Sequence, residues 1–184
     1  MARLLSSALL LAALAASAAA ASPRRIATQV ASACEFVTVP QLCTSIAFKS
    51  GATTLGELTK AAIDESLSST QSARSVTQKA LGAHSGDERL RKNLAVCDEA
   101  FANAVASLQE AQQKQGAAIS DGKAHTEVTG AISTALVYVG SCNDAFSENP
   151  GLVSPVADAT SIVKKLTSNC LSLAVAFQVK NGAY

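Results

Sequence analysis

The side chains with most capacity for chemistry in this 184-residue chain are five cysteines and two histidines. Cys34 and Cys43 sit close together, whereas Cys97, Cys142 and Cys170 stand far apart. Cysteines can bind metal, attack a substrate or bridge. Metal binding is disfavoured, because no Cys-x-x-Cys or His-Glu-x-x-His pattern gathers ligands. Attack needs a base, and neither histidine offers one by pattern: His84 lies in a Gly/Ser stretch and His125 near a helix start, both expected in solvent. Gly-x-Ser-x-Gly and phosphate-cradling glycine loops are missing as well. The acid pairs Asp64-Glu65 and Asp87-Glu88 read as solvated faces and helix starts. That leaves bridging. No cofactor or metal is implied, and the chain reads as something other than an enzyme.

Bridging requires an oxidising compartment, and the N-terminus points to one. Residues 1–21 read as a secretory signal: Arg3 gives the positive start, Leu4 to Leu14 the apolar core, and Ser17 to Ala21 the small residues around cleavage. That core is too short to span a bilayer, which takes about 20 residues. A secreted protein with no membrane attachment after cleavage is therefore expected. The chain has 15 basic and 14 acidic residues, and losing Arg3 balances them. Such neutrality argues against nucleic acid, which favours a basic stripe. No Asn-x-Ser/Thr acceptor occurs.

The elements that must position the cysteines are helices. Glycine and proline divide the mature chain into an N-terminal helical hairpin (22–50) and four longer helices (53–180). The hairpin pairs Ile26 to Cys34 with a helix from Pro40 to about Phe48, proline suiting a first turn. The four helices are expected at about Thr54 to Leu81, Asp87 to Lys114, Lys123 to Phe146, and Pro155 to Val179 with Ser154 as its cap. Gly116 to Gly122 reads as a loop. Leu90, Leu94, Cys97, Phe101, Ala104 and Leu108 follow alternating steps of three and four, as do Val128, Ile132, Ala135, Val139, Cys142 and Phe146. Ala159, Val163, Leu166, Cys170, Leu173 and Phe177 repeat the pattern. The first of the four is weaker, its Leu55/Leu58 and Ile63/Leu67 set among Ser and Thr. Short connectors make an all-α, up-down-up-down bundle.

Helical rise then decides which cysteines meet. Cys97 lies about 17 residues before its connector and Cys142 about 19 after it, so their heights differ by only about 3 Å. That is within reach of a disulfide. Cys142 and Cys170 are mismatched by about 16 Å, and Cys97 and Cys170 lie on diagonal helices. Cys170 is expected to be a free, buried thiol acting as a small hydrophobe. Cys34 and Cys43 flank the hairpin turn and can close it.

Cys34 and Cys43 with Pro40 between them, Leu94-Ala95-Val96-Cys97-Asp98-Glu99-Ala100-Phe101 followed by Ala104, Val105, Leu108 and Ala111, and Cys142-Asn143-Asp144-Ala145-Phe146 together resemble the plant invertase and pectin methylesterase inhibitor family. The resemblance covers essentially the whole mature chain, 22–184. Phe101 stands where that family usually has tyrosine, and Ser141 where it has threonine. The family pairs its first with its second and its third with its fourth cysteine, and often leaves a fifth unpaired. The resemblance implies a stoichiometric protein inhibitor, partnered by pectin methylesterase or by acid invertase, in the apoplast, cell wall or vacuole. Invertase inhibitors often carry Pro-Lys-Phe in the connector after the second bundle helix. Asp121-Gly122-Lys123-Ala124-His125 keeps only the lysine, which favours pectin methylesterase. Gly151-Leu152-Val153-Ser154-Pro155-Val156 instead resembles a branch of pollen proteins named for invertase inhibition. Asp121, Lys123 and His125 are the candidate partner-binding residues, since loops carry contacts more often than helix faces. A reading of another class is a carrier of a small apolar ligand, its cavity made by the small, polar first bundle helix.

Overall fold

A computed structural model describes residues 30–121 and 124–181, with only the backbone at residues 120 and 121. The signal segment lies outside the described residues. Every regular element among them is helical: α1 (residues 30–35), α2 (Pro40–Ser50), α3 (Leu55–Ala83), α4 (Glu88–Asp121), α5 (His125–Ser147) and α6 (Ala157–Lys180). Backbones adjoin in the pairs α3–α4, α4–α5, α5–α6 and α6–α3, which closes an up-down-up-down ring. Helices α1 and α2 form the hairpin, and α2 rests on α3 and α6.

Local chemistry sets the helix ends. Pro40 occupies the first turn of α2, and Gly51 ends it at φ 66°, a left-handed conformation that glycine adopts without steric cost. A capping box starts α3: Glu57 N–H donates to Thr54 Oγ1 at 3.2 Å, and Thr54 N–H donates to Glu57 Oε2 at 3.1 Å. The Thr53 N–H and hydroxyl also donate to Oε2, both at 2.8 Å. These donors, the Thr53 backbone foremost, hold the Glu57 carboxyl below its ordinary value. At the start of α4 the Asp87 carboxylate accepts from Leu90 N–H at 3.0 Å.

Two boundaries differ from the sequence expectation. Helix α4 does not stop near Lys114 but runs through Gly116 to Asp121. The buried stripe continues in phase, with Gln115 at 0% and Ala118 at 2% exposure, and Gln115 Nε2 donates to the Gly56 carbonyl at 3.3 Å. Packing on that face outweighs the roughly 1 kcal/mol cost of a glycine within a helix. Helix α6 starts at Ala157, not at Pro155, and Ser154 is not its cap. Val156 takes the cap position with its side chain 1% exposed, so burying Val156 sets where the helix begins. The Ser154 hydroxyl accepts instead from Val156 N–H, at 3.3 Å, in the turn before the helix.

The core has two halves. One joins Val37, Cys43 and Ile46 of the hairpin to Leu58, Ile63, Val128, Ile132, Cys170 and Leu173. The other surrounds the Cys97–Cys142 bond with Leu94, Phe101, Leu108, Val139, Phe146 and Val163. Helix α3 meets its neighbours along Gly56, Thr59, Ile63, Ser66, Thr70, Ala73 and Thr77, all buried. The hydroxyls of Thr59, Thr70 and Thr77 donate to the carbonyls of Leu55, Ser66 and Ala73 at 2.8, 2.7 and 2.9 Å, so burial leaves them satisfied. These small side chains let α3 pack closely.

Two bonds cross-link the chain: Cys34–Cys43, with Cα atoms 5.4 Å apart, and Cys97–Cys142, with Cα atoms 4.4 Å apart. Chain-entropy arithmetic assigns about 3 kcal/mol to the first and about 4 kcal/mol to the second. Cys170 is free and buried. Burial pushes its thiol far above the ordinary value. The neighbouring Ser66 hydroxyl acts in the opposite direction.

The bridges and the α3 cap each set a stability outcome. Replacing Cys97 and Cys142 together by alanine lowers the unfolding free energy by about 2–5 kcal/mol in denaturant titration, while Cys170→Ala leaves both bridges in place on peptide mapping. Thr54→Ala costs about 1 kcal/mol. For Glu57 the sign is fixed by its depressed folded value: its contribution is full above 4.5 and fades as pH falls through the lower folded value. Glu57→Gln is accordingly less stable than the parent at pH 7, and the gap closes in acid; a gap independent of pH would contradict the capping geometry.

Candidate partner-binding surface

Of the three candidate contact residues, the structure does not assemble a site. Asp121 is the last residue of α4, and its side chain is outside the description; Lys123 lies outside the described residues. His125 opens α5, but it is 2% exposed, contrary to the expectation of solvent contact. Its ring meets Phe177 edge-on, with centroids 4.6 Å apart and planes at 74°. The end of α6 covers the first turn of α5 here: Thr129 Oγ1 donates to Gln178 Oε1 at 2.9 Å, and Gln178 Nε2 donates to Thr126 Oγ1 at 3.3 Å. A ring so covered offers nothing to a partner, so His125 is a packing residue. The signal was in the sequence, since His125 stands three residues before Val128 and continues the three–four rhythm of α5.

Charge beside this connection is shared out among neighbours. Lys114 Nζ contacts Glu110 at 2.9 Å and Glu127 at 3.0 Å, tying α4 to α5. Hydrogen bonds to Glu110 and then Glu127 hold the Lys114 ammonium above its ordinary value. The α3–α4 surface is likewise polar and braced. Arg74 Nε meets Asp98 Oδ1 at 3.1 Å, Gln112 Nε2 donates to Asp64 Oδ1 at 2.7 Å, and Lys60 meets the other Asp64 oxygen at 2.8 Å. Exposed pairs of this kind add little stability. Arg74–Asp98 and Gln112–Asp64 link α3 to α4 across a hydrophilic surface.

Sequence reasoning missed the apolar side of the hairpin. Phe36 is 85% and Phe48 92% exposed, an orientation that helical phase alone does not reveal in so short a hairpin. A groove of about 530 Å³ runs beside Phe48, with Val30, Cys34, Pro40 and Ala47 on its walls. It is open and lies at the hairpin, not between the bundle helices.

Catalytic readings find no support in this arrangement. Cys170 is sealed and its thiol is held protonated, so it is no nucleophile. His84 is exposed in the turn after α3. No cluster of three metal-binding side chains occurs among the described residues, and no helix among them is long and apolar enough to cross a membrane.

Comparison with known proteins adds the context. A family described as plant invertase/pectin methylesterase inhibitor matches residues 28–173. The crystal structure of mutant form A of a pectin methylesterase inhibitor from Arabidopsis is similar at TM-score 0.68 and 17% identity, covering 80% of this chain and 95% of that one. The crystal structure of a pectin methylesterase inhibitor from Arabidopsis thaliana gives TM-score 0.60 at 17% identity, with the same coverages. No curated protein sequence matches significantly. At that identity the structural likeness speaks for the helical-bundle fold, and the family match, spanning most of the chain, speaks for descent. Members of that family are inhibitors rather than enzymes. The chain, with its two bridges, its four-helix ring and its lack of a reactive centre among the described residues, belongs to the plant invertase/pectin methylesterase inhibitor family.

Proposed function

We propose that this protein is an exported inhibitor of pectin methylesterase that binds over the enzyme's active-site cleft and so excludes the polysaccharide. The observation that carries the reading is the braced polar surface of α3 and α4, fixed by Arg74–Asp98 and the Lys60–Asp64–Gln112 set on a cross-linked bundle. A surface already in its bound shape loses little entropy on association. It suits a hydrophilic cleft better than an apolar pocket would. The two Arabidopsis structures that share the fold are described as pectin methylesterase inhibitors, which supports this target. Export by cleavage within residues 17–22 delivers the protein to the apoplast. Asp121 and Lys123 contribute at the α4–α5 connection.

A second reading, inhibition of acid invertase, rests on the hairpin. The family resemblance implies that invertase inhibitors engage the hairpin as well as the bundle helices, and here the hairpin presents Phe36 and Phe48 to solvent.

The test is inhibition of purified pectin methylesterase and of acid invertase at pH 5 and pH 7 by the secreted, disulfide-intact protein. The expected result is stoichiometric loss of pectin methylesterase activity with invertase unaffected. Lys123→Glu is expected to weaken inhibition about 10-fold with an unchanged melting temperature, as rim charges do. Inhibition of invertase alone would transfer the function to the second reading. Loss of neither activity at micromolar protein would remove the inhibitor reading.

A further inference from the structure

Helix α2 begins without a cap of its own. Val39 holds the cap position with a side chain that accepts nothing, and Pro40 follows it. Leu42, in the position that Glu57 fills in the box of α3, has no acceptor to reach back with. The missing partner comes from the far end of the chain. Asn169 of α6 accepts from Val39 N–H through Oδ1 at 2.8 Å, and its Nδ2 donates to the Val39 carbonyl at 2.7 Å. Asn169 is wholly buried. One residue earlier on both segments, Thr38 Oγ1 and Ser168 Oγ share a hydrogen bond of 2.7 Å.

Apart from the Thr38–Ser168 bond, the contacts described between the hairpin and the bundle are apolar or solvated. Val37, Cys43 and Ile46 enter the core, but apolar burial is indifferent to small rotations. The Lys49–Glu65 ion pair at the other end of α2 is 2.9 Å long and solvated, and such pairs contribute little. A two-bond match between a buried amide and both the N–H and the carbonyl of one residue is different, because rotation breaks both bonds and strands buried polar groups.

We infer that Asn169 is a clasp that caps α2 in trans and fixes the orientation in which the hairpin docks on the bundle. It holds the hairpin in one pose, and with it the direction in which Phe36 and Phe48 face. This device is independent of which enzyme the protein inhibits.

Hydrogen–deuterium exchange read by mass spectrometry tests it on the full secreted protein, comparing peptides from residues 36–50 with peptides from α4 and α5. Asn169→Leu removes both bonds, and amides of the hairpin are expected to exchange about 10-fold faster or more while α4 and α5 keep the parental rate. Asn169→Asp is the sharper variant. Burial and the facing carbonyl favour its protonated form, so the comparison runs from pH 9 to pH 4. Ionised, the carboxylate still accepts from Val39 N–H but repels the Val39 carbonyl; protonated, it donates its O–H to that carbonyl and accepts from the same N–H, restoring both bonds. The expected result is a hairpin loosened at alkaline pH that returns towards parental protection in acid, after correction for intrinsic exchange. The charged pair of the hairpin, Lys49–Glu65, lies at the far end of α2 from Asn169. The pH comparison uses one folded sample, so it stands even where Asn169→Leu fails to fold. Hairpin exchange unchanged in both variants, acceleration spread equally over all helices, or no acid rescue in Asn169→Asp would each overturn the clasp.

Discussion

The structure depends on one covalent constraint, the Cys97–Cys142 bond between α4 and α5. It fixes the relative height of the two helices, and one core half is built around it. Once those heights are set, the neighbouring contacts follow in register: Lys114 reaches Glu127 across the same helix pair, and Asn149 Nδ2 donates to Asn93 Oδ1 at the other end. A bundle whose α3 seam is mostly small and hydroxylated has less apolar area than a leucine-rich one, and so less burial energy. The bond offsets that deficit by removing conformations from the unfolded chain. Rigidity and a thinly apolar seam are thus parts of one solution.

Several polar groups inside this protein are satisfied by the backbone, while Ser66 Oγ, Gln115 Oε1, His125 Nε2 and Thr167 Oγ1 are buried without a hydrogen-bond partner. The threonines of α3 return their hydroxyls to carbonyls one turn earlier. Gln115 gives one amide hydrogen to Gly56, whose missing side chain matters for another reason: a Cβ there would lie 3.1 Å from the Phe177 ring. That close approach brings the end of α6 onto the start of α3, and the same Phe177 covers His125. A glycine, a glutamine, a phenylalanine and a histidine thereby close the end of the bundle at which the α4–α5 connection emerges. Whatever the connection contributes to a partner comes from residues beyond this packed corner.

The ring of four helices was legible from sequence because each stripe repeats at three and four residues, and the facing pair Cys97 and Cys142 sits on two such stripes. What misled was punctuation read without packing. Gly116 looked like a stop, although Gln115 and Ala118 carry the stripe past it. Ser154-Pro155 looked like a cap and first turn, although burial of Val156 decides where α6 starts. His125 was judged by its position near a loop, when its phase marked it as interior. The clasp at Asn169 could not be found this way, since no local pattern reports a cap supplied 130 residues away. Nor could the exposure of Phe36 and Phe48, which depends on how the hairpin is seated.

The central claim is that a preformed, cross-linked surface meets its enzyme without folding first. Isothermal titration of the disulfide-intact protein into pectin methylesterase over a range of temperatures tests this most directly. The account predicts one-to-one binding with a heat-capacity change that matches burial of a standard interface of about 1,600 Å² and no more. A much larger heat-capacity change, of the size that accompanies folding, or the absence of any binding heat at micromolar concentrations, would contradict it.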